Sequence, residues 1–408
     1  MWHNNTDEYK TESNGVWDML TVDNLIDLKY KNLKSIIDYV RFREYNTKKQ
    51  IAHDLNLSFA TVSNMINLLM NAGLIKETEA KTSKYVGRFP KFINLNHKRF
   101  YIISLDLHLD WCMSLCLIDL ARNIISRKTY EAQPFDNVSR LMERVKEVFD
   151  DFIGVNGIDP EMVIGAGIIM RGILNEQSDY IVVSENKLFQ NQPIKKFMRE
   201  AIRKPIAMEN DTNLAAYFSA ISMETDNLMY VYMGEGLGFG IITGGNILRG
   251  VRGYSSEIDH IPMGKLHKKC PHCGNYDCLH TDVSRNGFLT KYYEKDYEFK
   301  HSYKEEWEEY TKRIRAGDAR AVEVASENAV ILGKALATAA SITWPEKVVI
   351  GGIPQELYQV MGPVVEREIN SRKPFEPYIT VKHDDQCYDT IAKGAAEMMY
   401  FQWLPDFE

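Results

Sequence analysis

The sequence lacks several features that would point away from a globular intracellular protein. It has no run of about 18 or more consecutive apolar residues, which excludes a hydropathy-predicted membrane span. Residues 1–5 lack the basic-then-apolar order of a signal peptide, so we expect a cytoplasmic protein with no membrane partner. Six cysteines in 408 residues are few and unevenly spaced, which argues against a disulfide framework. The length suits two or three domains.

Charge is divided unevenly along the chain. The formal net charge is −7, yet residues 31–95 hold 11 lysines and arginines against 5 acidic residues. A small basic segment on a large acidic body is typical of a nucleic-acid reader joined to a sensing part. A chance excess of surface lysines is the alternative.

Helical periodicity in the basic segment predicts three short helices. Apolar residues at helical spacing favour a helix over 32–42. Thr47 is suited to cap a helix over 48–55, and Ser58 to cap a helix over 59–71. The paired caps and the short turn between them are typical of a helix-turn-helix.

The outer face of the third predicted helix is polar but uncharged, so it can reach base edges in a major groove, whereas lysines would bind phosphate. After it, the stretch 76–90 has the pattern of a β-hairpin wing with basic residues for phosphate or minor-groove contact. A helical bundle used for protein contacts is the alternative. The predicted DNA-binding residues are Ser58, Thr61, Ser63, Asn64, Asn67, Lys81, Lys84 and Arg88.

From residue 100 onward the pattern indicates an α/β fold. Period-two apolar runs predict three successive strands, followed by a helix, a strand and further helices. A second half of strands, a long helical region at 302–342 and a strand at 347–350 follows. This order is that of two actin-like halves, although many α/β folds mix the same elements.

A cluster of three cysteines predicts a metal site. Cys270, Cys273 and Cys278 lie within nine positions, and His260 lies ten residues upstream. Three thiolates and one imidazole form a closed tetrahedral set, which favours structural zinc over a catalytic metal. His267, His272 and His280 are alternatives for the fourth ligand. A set of buried free cysteines is the competing interpretation.

Three motifs stand out in the second half of the chain: Glu209-Asn210-Asp211, the run 256–260 (SEIDH) and the cysteine segment 270–279. Together they resemble the ROK family of repressors, open reading frames and kinases. The helix-turn-helix followed by 86–90 (VGRFP) looks like the family's repressor branch. Two positions in the metal and ligand motifs depart from the family's usual pattern. Two residues rather than one separate the first two cysteines, and Asp259 stands where the family has a glycine before the zinc-binding histidine.

The resemblance implies an N-terminal winged helix-turn-helix joined to a two-lobed actin-like fold of the sugar-kinase ATPase type. The implied domains are a DNA-binding domain at 1–95, a first lobe at 96–213 plus 381–408, and a second lobe at 214–380 with the zinc loop and the dimer surface. It also implies a homodimer or higher oligomer, a double-stranded DNA operator and a small sugar or sugar-phosphate effector.

The resemblance further implies a sugar site on loops. Its residues would be Gly172, Asn210, Asp211, Glu257, His260 and His280, with His280 standing where the family has a glutamate. His260 would then serve zinc with one ring nitrogen and the sugar with the other. Taken alone, these residues could be a helix cap and surface charges.

Phosphoryl transfer is disfavoured by the predicted phosphate loops. His108 and Asp110 stand where the first loop needs a glycine and a small residue, and Glu235 adds a carboxylate to the second loop. Such charges repel a triphosphate.

We therefore predict a sugar-responsive repressor that is not an enzyme. The alternatives are an active sugar kinase with a DNA-binding head, and a repressor that binds no sugar and is controlled by a protein partner.

Overall fold

The computed structural model describes residues 25–43, 46–79, 91–107, 112–131, 135–184, 186–234, 236–298, 303–371 and 378–403. Contacts divide the chain into two units, and the boundary between them in the sequence lies between Asn96 and His97. His108, Asp110 and Glu235, on which the prediction about phosphate loops depends, lie outside the described residues.

The first unit contains the predicted helices and hairpin. The helices are α1 (Leu25–Arg41), α2 (Lys48–Asp54) and α3 (Phe59–Asn71). Strands β1 (Ile75–Glu79) and β2 (Lys91–Leu95) pair antiparallel. The connection between the two strands, which carries Lys81, Lys84 and Arg88, lies outside the described residues.

A small apolar core and two helix caps explain why these helices form. Ile36, Ile37 and Ile66 are fully buried, so α1 and α3 share one core. At the start of α2, the Gln50 amide donates to Thr47 Oγ1 at 3.2 Å while the Thr47 amide donates to Gln50 Oε1 at 3.0 Å. This capping box satisfies two amides that the helix itself leaves without partners.

The second unit contains two five-stranded sheets of the same topology. The first has the order β5-β4-β3-β6-β9 and the second β12-β11-β10-β13-β14. In each, three antiparallel strands are followed by two parallel ones. The strands of the first sheet are β3 (Tyr101–Leu107), β4 (Cys112–Asp119), β5 (Ile124–Glu131), β6 (Val163–Met170) and β9 (Ile206–Asn210). Those of the second are β10 (Leu228–Met233), β11 (Leu237–Thr243), β12 (Asn246–Ile247), β13 (Lys347–Gly351) and β14 (Thr380–Asp384).

Helices cover one face of each sheet. The first sheet shares a core with α4 (Val138–Val155) and α5 (Ile194–Ile202). The second packs against a helical layer formed by α7 (Leu279–Val283), α8 (Arg285–Tyr293), α9 (Lys304–Arg315), α10 (Ala319–Thr343) and α11 (Gln355–Asn370). A short hairpin, β7 (Ile173–Leu174) with β8 (Ile181–Val183), follows β6.

Two helices cross between the sheets. Helix α6 (Asp211–Ser222) follows a strand of the first sheet but packs on β10 and β11 of the second. Helix α12 (Cys387–Gln402) follows a strand of the second sheet but packs on β3 and β6 of the first. Gly394 permits the close approach of the two helices, because a Cβ at this position would lie 2.2 Å from the Leu214 carbonyl oxygen.

The chain returns to the first sheet later than the predicted boundary at residues 380 and 381. That boundary falls at the start of β14, which pairs with β13 in the second sheet. After β14, helix α12 is the described element that packs back onto the first sheet.

None of the described helices is both long and apolar enough to cross a bilayer.

The capping box generates a prediction about local stability. Replacing Thr47 by Ala removes the side-chain acceptor for the Gln50 amide and should destabilise α2 by about 1 kcal/mol. Amide hydrogen exchange of α2 should accelerate roughly fivefold under native conditions. Thr47→Ser keeps the acceptor and should exchange nearly as the parent does. Equal protection in Thr47→Ala and the parent would contradict the role of the cap.

Candidate ligand cavity and metal centre

Four predicted metal ligands lie together in the second unit. The ligand atoms of His260, Cys270, Cys273 and Cys278 all lie within 4.8 Å of one another. His260 Nδ1 is 3.7 Å from Cys270 Sγ, and the Cys273 and Cys278 sulfurs are 3.4 Å apart. A tetrahedral ion with metal–sulfur bonds of about 2.3 Å places its ligand atoms about 3.5–3.8 Å apart, so the four groups fit one metal ion.

A tight turn orients the first two cysteines. The Gly274 amide donates to the Cys270 carbonyl at 3.0 Å, and the Cys270 amide donates to the Asn275 carbonyl at 2.7 Å. Bridges between Lys269 and Tyr276 continue this small hairpin. The two-residue separation of Cys270 and Cys273 therefore still directs both thiols to the cluster.

A buried carboxylate that the sequence did not reveal supports this loop. Asp282 is fully buried, and its Oδ2 accepts the amides of Lys265 at 2.9 Å and Leu266 at 3.3 Å. Its Oδ1 pairs with Lys291 Nζ at 2.8 Å. Because its charge is paired and hydrogen-bonded, the Asp282 carboxylate can be buried while it joins the loop to the helical layer.

Burial controls the protonation of the thiols. It raises the pKa of Cys278 to about 12, with the neighbouring thiols adding to the effect, and it also raises the pKa of Cys270. A metal ion binds thiolates, so its binding must release these protons and should strengthen as pH rises.

A cavity of about 520 Å³ opens beside the cysteine cluster. All six residues of the predicted sugar site line it: Gly172, Asn210, Asp211, Glu257, His260 and His280. Other polar groups in the lining were not predicted, among them Arg171, Glu209, Tyr232, Arg249, His272, Arg285 and Asn286.

Asn210 and Asp211 begin helix α6 and face the cavity. Asn210 Oδ1 caps the helix by accepting the Thr212 and Asn213 amides at 2.9 and 3.2 Å, and its Nδ2 donates to the Gly172 carbonyl at 3.1 Å. Most of this side chain is thus committed to holding the loop, and one amide hydrogen remains for a ligand. Asp211 Oδ1 accepts the Thr212 amide at 2.7 Å.

Two arginines compensate the carboxylates at this side of the cavity. Arg249 pairs with Glu209, which is only 1% exposed and also accepts the Ser178 hydroxyl at 3.0 Å. Arg171 Nε lies 3.8 Å from Asp211 Oδ2. The sequence did not reveal these ion pairs, because each arginine meets a carboxylate about 40 residues away and neither arginine lies in a recognisable motif.

The opposite side of the cavity combines carboxylates with imidazoles. His260 Nε2 lies 3.6 Å from Asp259 Oδ2 and 3.9 Å from Glu257 Oε2, while its Nδ1 faces the cysteines. The rings of His272 and His280 meet edge to face at 4.7 Å. His260 therefore connects the cysteine cluster with the cavity through its two ring nitrogens.

Burial also sets the protonation on this side. It raises the pKa of Asp259 to about 7 and, together with Asp259, raises the pKa of Glu257. It lowers the pKa of His280 to about 3, so this imidazole is neutral near pH 7. The sequence position of His280, directly after the Cys278-Leu279 pair, marked it as a cavity residue, whereas His272 was considered only as an alternative metal ligand.

In the first unit, the predicted base-reading face of α3 divides into cap and exposed residues. The Ser58 and Thr61 hydroxyls bond to each other at 2.8 Å, and Ser58 Oγ accepts the Thr61 amide at 3.0 Å. Asn64 and Asn67 are exposed. Phe59, which was not predicted, is 58% exposed at the start of the helix, where an aromatic ring can contact thymine methyl groups.

Comparison with known proteins agrees with this architecture. The ROK family model matches residues 112–399. The chain belongs to the ROK family.

The xylose repressor of Caldicellulosiruptor bescii is 26% identical over 262 residues, covering 63% of this chain and 64% of that repressor. This ROK chain thus matches less than two thirds of that relative's length. The DNA-binding transcriptional dual regulator NagC of Escherichia coli K12 is 26% identical over 359 residues, covering 84% of this chain and 86% of NagC.

Solved structures show the same fold. A ROK family transcriptional regulator described as a homologue of the E. coli MLC protein aligns with a TM-score of 0.76 and 21% identity, over 92% of this chain and 97% of that one. A ROK family glucokinase from Streptomyces griseus aligns with a TM-score of 0.60 and 21% identity, over 73% and 98%. The predicted fold class is confirmed.

The backbone of Gly172 generates a prediction about the cavity wall. Its φ is +113°, and a Cβ there would lie 2.2 Å from the Val183 carbonyl oxygen. Gly172→Ala should therefore destabilise this ROK protein by roughly 1–3 kcal/mol or more. Gly154→Ala in α4 is the matched control, because a Cβ there meets nothing within 4 Å and its φ is not positive.

Thermal or denaturant unfolding of the two variants measures the difference. Gly154→Ala should leave stability unchanged or raise it by about 0.4–1 kcal/mol. Equal stability of the two variants would contradict the conformational demand at Gly172.

Proposed function

We propose that this ROK protein is a zinc-containing transcriptional repressor that binds a double-stranded DNA operator as a homodimer. A small sugar or sugar phosphate in the cavity would weaken operator binding. The observation that carries this proposal is that one chain combines an exposed, uncharged polar helix face with an enclosed polar cavity built on a sugar-kinase fold. A regulator of this kind would work in the cytoplasm, where it meets both DNA and the products of sugar uptake.

The surface of α3 supports DNA reading. Asn64 and Asn67 present amide groups of the kind that bind adenine edges bidentately in a major groove. Lys49 and Lys76 are exposed nearby in sequence, whereas Lys48 and Lys91 pair with Glu77 at 3.1 and 2.8 Å. We propose that Lys49 and Lys76 contact phosphate and the asparagines contact bases. Two copies of α3 would read half-sites related by the dimer axis.

The cavity supports a polar ligand of sugar size. Its volume of about 520 Å³ lies in the range of small-molecule sites. Asp211, Glu257 and the imidazole of His260 offer acceptors and donors of the kind that bind hydroxyl groups. We propose that these three side chains hold the ligand, and that Asn210 and Gly172 shape the loop around it.

The cysteine cluster supports a structural zinc ion. Three sulfurs and one imidazole nitrogen lie within 4.8 Å of one another. Around a tetrahedral ion they would fill all four positions and leave no open position for a substrate. The ion would supply a cross-link between the loop and His260. That cross-link would hold the His260 ring in the orientation that presents Nε2 to the cavity.

The surroundings of two glycines near the predicted phosphate loops, Gly234 and Gly351, support a protein that is not a kinase. The Tyr232 hydroxyl fills the space beside Gly234, and the Tyr230 hydroxyl, which donates to Asp384 Oδ2 at 2.7 Å, fills the space beside Gly351. Tyrosine packing thus accounts for these glycines without a bound phosphate. The paired position of Asp211 beside Arg171 also favours a ligand-holding role over that of a free general base.

Substitutions on α3 test the DNA-reading part of the proposal. Asn64→Ala and Asn67→Ala should each lose about 1–3 kcal/mol of preference for the operator over unrelated DNA, because each removes a bidentate base contact. Affinity for unrelated DNA should change little. Fluorescence anisotropy with both DNAs at one salt concentration measures this ratio.

Asn156→Ala, the same chemical change at the end of α4 in the second unit, is the control. It should keep the parent's preference for the operator. Unchanged preference in both α3 variants would count against base reading by this helix.

Metal analysis tests the zinc centre. The purified chain should carry about one zinc ion per chain, and Cys278→Ser should lose it together with several degrees of melting temperature. Cys116→Ser is the matched control, because Cys116 is also buried but lies on β4 outside the cluster, where its sulfur accepts from Arg127 Nε. Full zinc content in Cys278→Ser, or none in the parent, would overturn the assignment.

A further inference from the structure

Among the described residues, four carboxylates line the cavity, and they fall into two unlike pairs. Glu209 and Asp211 each face an arginine, Arg249 and Arg171 respectively. For Glu257 and Asp259, the ion-pair partners among the described residues are imidazoles alone, those of His260 and His280. Among the described residues, the cavity therefore has one end where carboxylates pair with arginines and one end where they pair with imidazoles.

A bound zinc ion would not supply a net positive charge to the end with imidazoles. Three thiolates contribute three negative charges against the two positive charges of zinc, and a neutral imidazole adds none. The loaded cluster would carry a net charge of −1. Glu257 and Asp259 would then lie next to a further negative group, in a site where their side chains are 42% and 12% exposed.

A third acceptor lies in the same stretch of the lining. The Ser256 hydroxyl oxygen is buried and has no hydrogen-bond partner among the described residues. Ser256 also belongs to the cavity wall. Two carboxylates and one hydroxyl are acceptors that suit a group with several N–H donors and a positive charge.

We propose that the cavity selects an amino sugar whose free ammonium group binds between Glu257, Asp259 and Ser256. The inference rests on the proposed sugar-binding function and names the class of ligand. An ammonium has three donors on one centre and replaces a ring hydroxyl without enlarging the sugar. The hydroxyl groups of the same sugar would face Asp211 at the end with arginines. A carboxylate or phosphate placed at the end with imidazoles would be repelled.

A second metal ion is the competing occupant of this end, since Glu257, Asp259 and His260 also lie within metal-binding distance of one another. His260, however, directs Nδ1 at the cysteines. It could bind a second cation through Nε2 only as a doubly deprotonated imidazolate. An ammonium makes no such demand, because it can bind the carboxylates while Nε2 keeps its proton.

Calorimetric titration of the zinc-loaded, full-length protein tests the proposal with matched sugar pairs at pH 7. The pairs are glucosamine with glucose, galactosamine with galactose and mannosamine with mannose. In the pair with the preferred ring stereochemistry, the amino sugar should bind about tenfold or more tightly, because a charge-assisted hydrogen bond contributes about 1.5–3 kcal/mol. N-acetylglucosamine, which lacks the charge, should not share the gain.

Asp259→Asn should remove most of the preference for the amino sugar and leave affinity for its neutral partner within about twofold, since an uncharged acceptor still serves hydroxyl groups. Glu327→Gln, an equal change of charge at an exposed position of α10 outside the cavity, is the control. Zinc content is measured for every variant, so that loss of the cluster is separated from loss of the ammonium contact.

The outcomes separate this inference from the proposed function. Neutral sugars that bind as tightly as amino sugars would overturn the ammonium site and leave a sugar-responsive repressor. Binding of no sugar at all would overturn both. Saturable binding of Mn²⁺ that disappears in Asp259→Asn, without any preference for amino sugars, would assign this end to a metal ion and overturn the inference.

Discussion

The close packing of α6 against α12 between the two sheets is the constraint on which the site depends. Each helix begins at the end of a strand in one sheet and packs on the other sheet, so the two sheets are joined through this pair. Gly394 opposite the Leu214 carbonyl lets the backbones approach. Because α6 is held in this way, Asn210 and Asp211 at its first turn have fixed positions in the cavity wall.

His260 is the second constraint, because its two ring nitrogens serve two different sites. Nδ1 completes the cysteine cluster, and Nε2 faces the carboxylates of Glu257 and Asp259. In the proposed account, a metal ion fixes the ring and the cavity ligand contacts the same ring from the other side. Ligand binding and the conformation of the cysteine loop are then linked through the His260 side chain. Through this link a ligand can shift the second unit between two states.

Much of this architecture follows from local sequence. Ser58 and the buried stripe of Val62, Ile66 and Leu69 specify α3 to the residue, since caps and periodicity are local signals. The cysteine spacing likewise indicated three ligands, and the structure brings them together with His260 rather than with one of the three alternative histidines. The contacts of Arg171 and Arg249 could not be predicted, because each joins residues far apart in sequence without a repeating pattern. Strand β14 was missed because three of its five residues are lysine, histidine and aspartate and its apolar residues hardly alternate.

The central claim is that a ligand in the cavity controls DNA binding by the same chain. The most direct test is an anisotropy titration of the full-length protein against DNA fragments from upstream of its own gene, with and without pooled sugars. We predict tight binding to one fragment that one pool weakens at least tenfold, and loss of that response in Asp211→Ala while operator binding persists. Selective binding that no pool changes would contradict the account and favour control by a protein partner, and sugar-dependent release of ADP would favour a kinase.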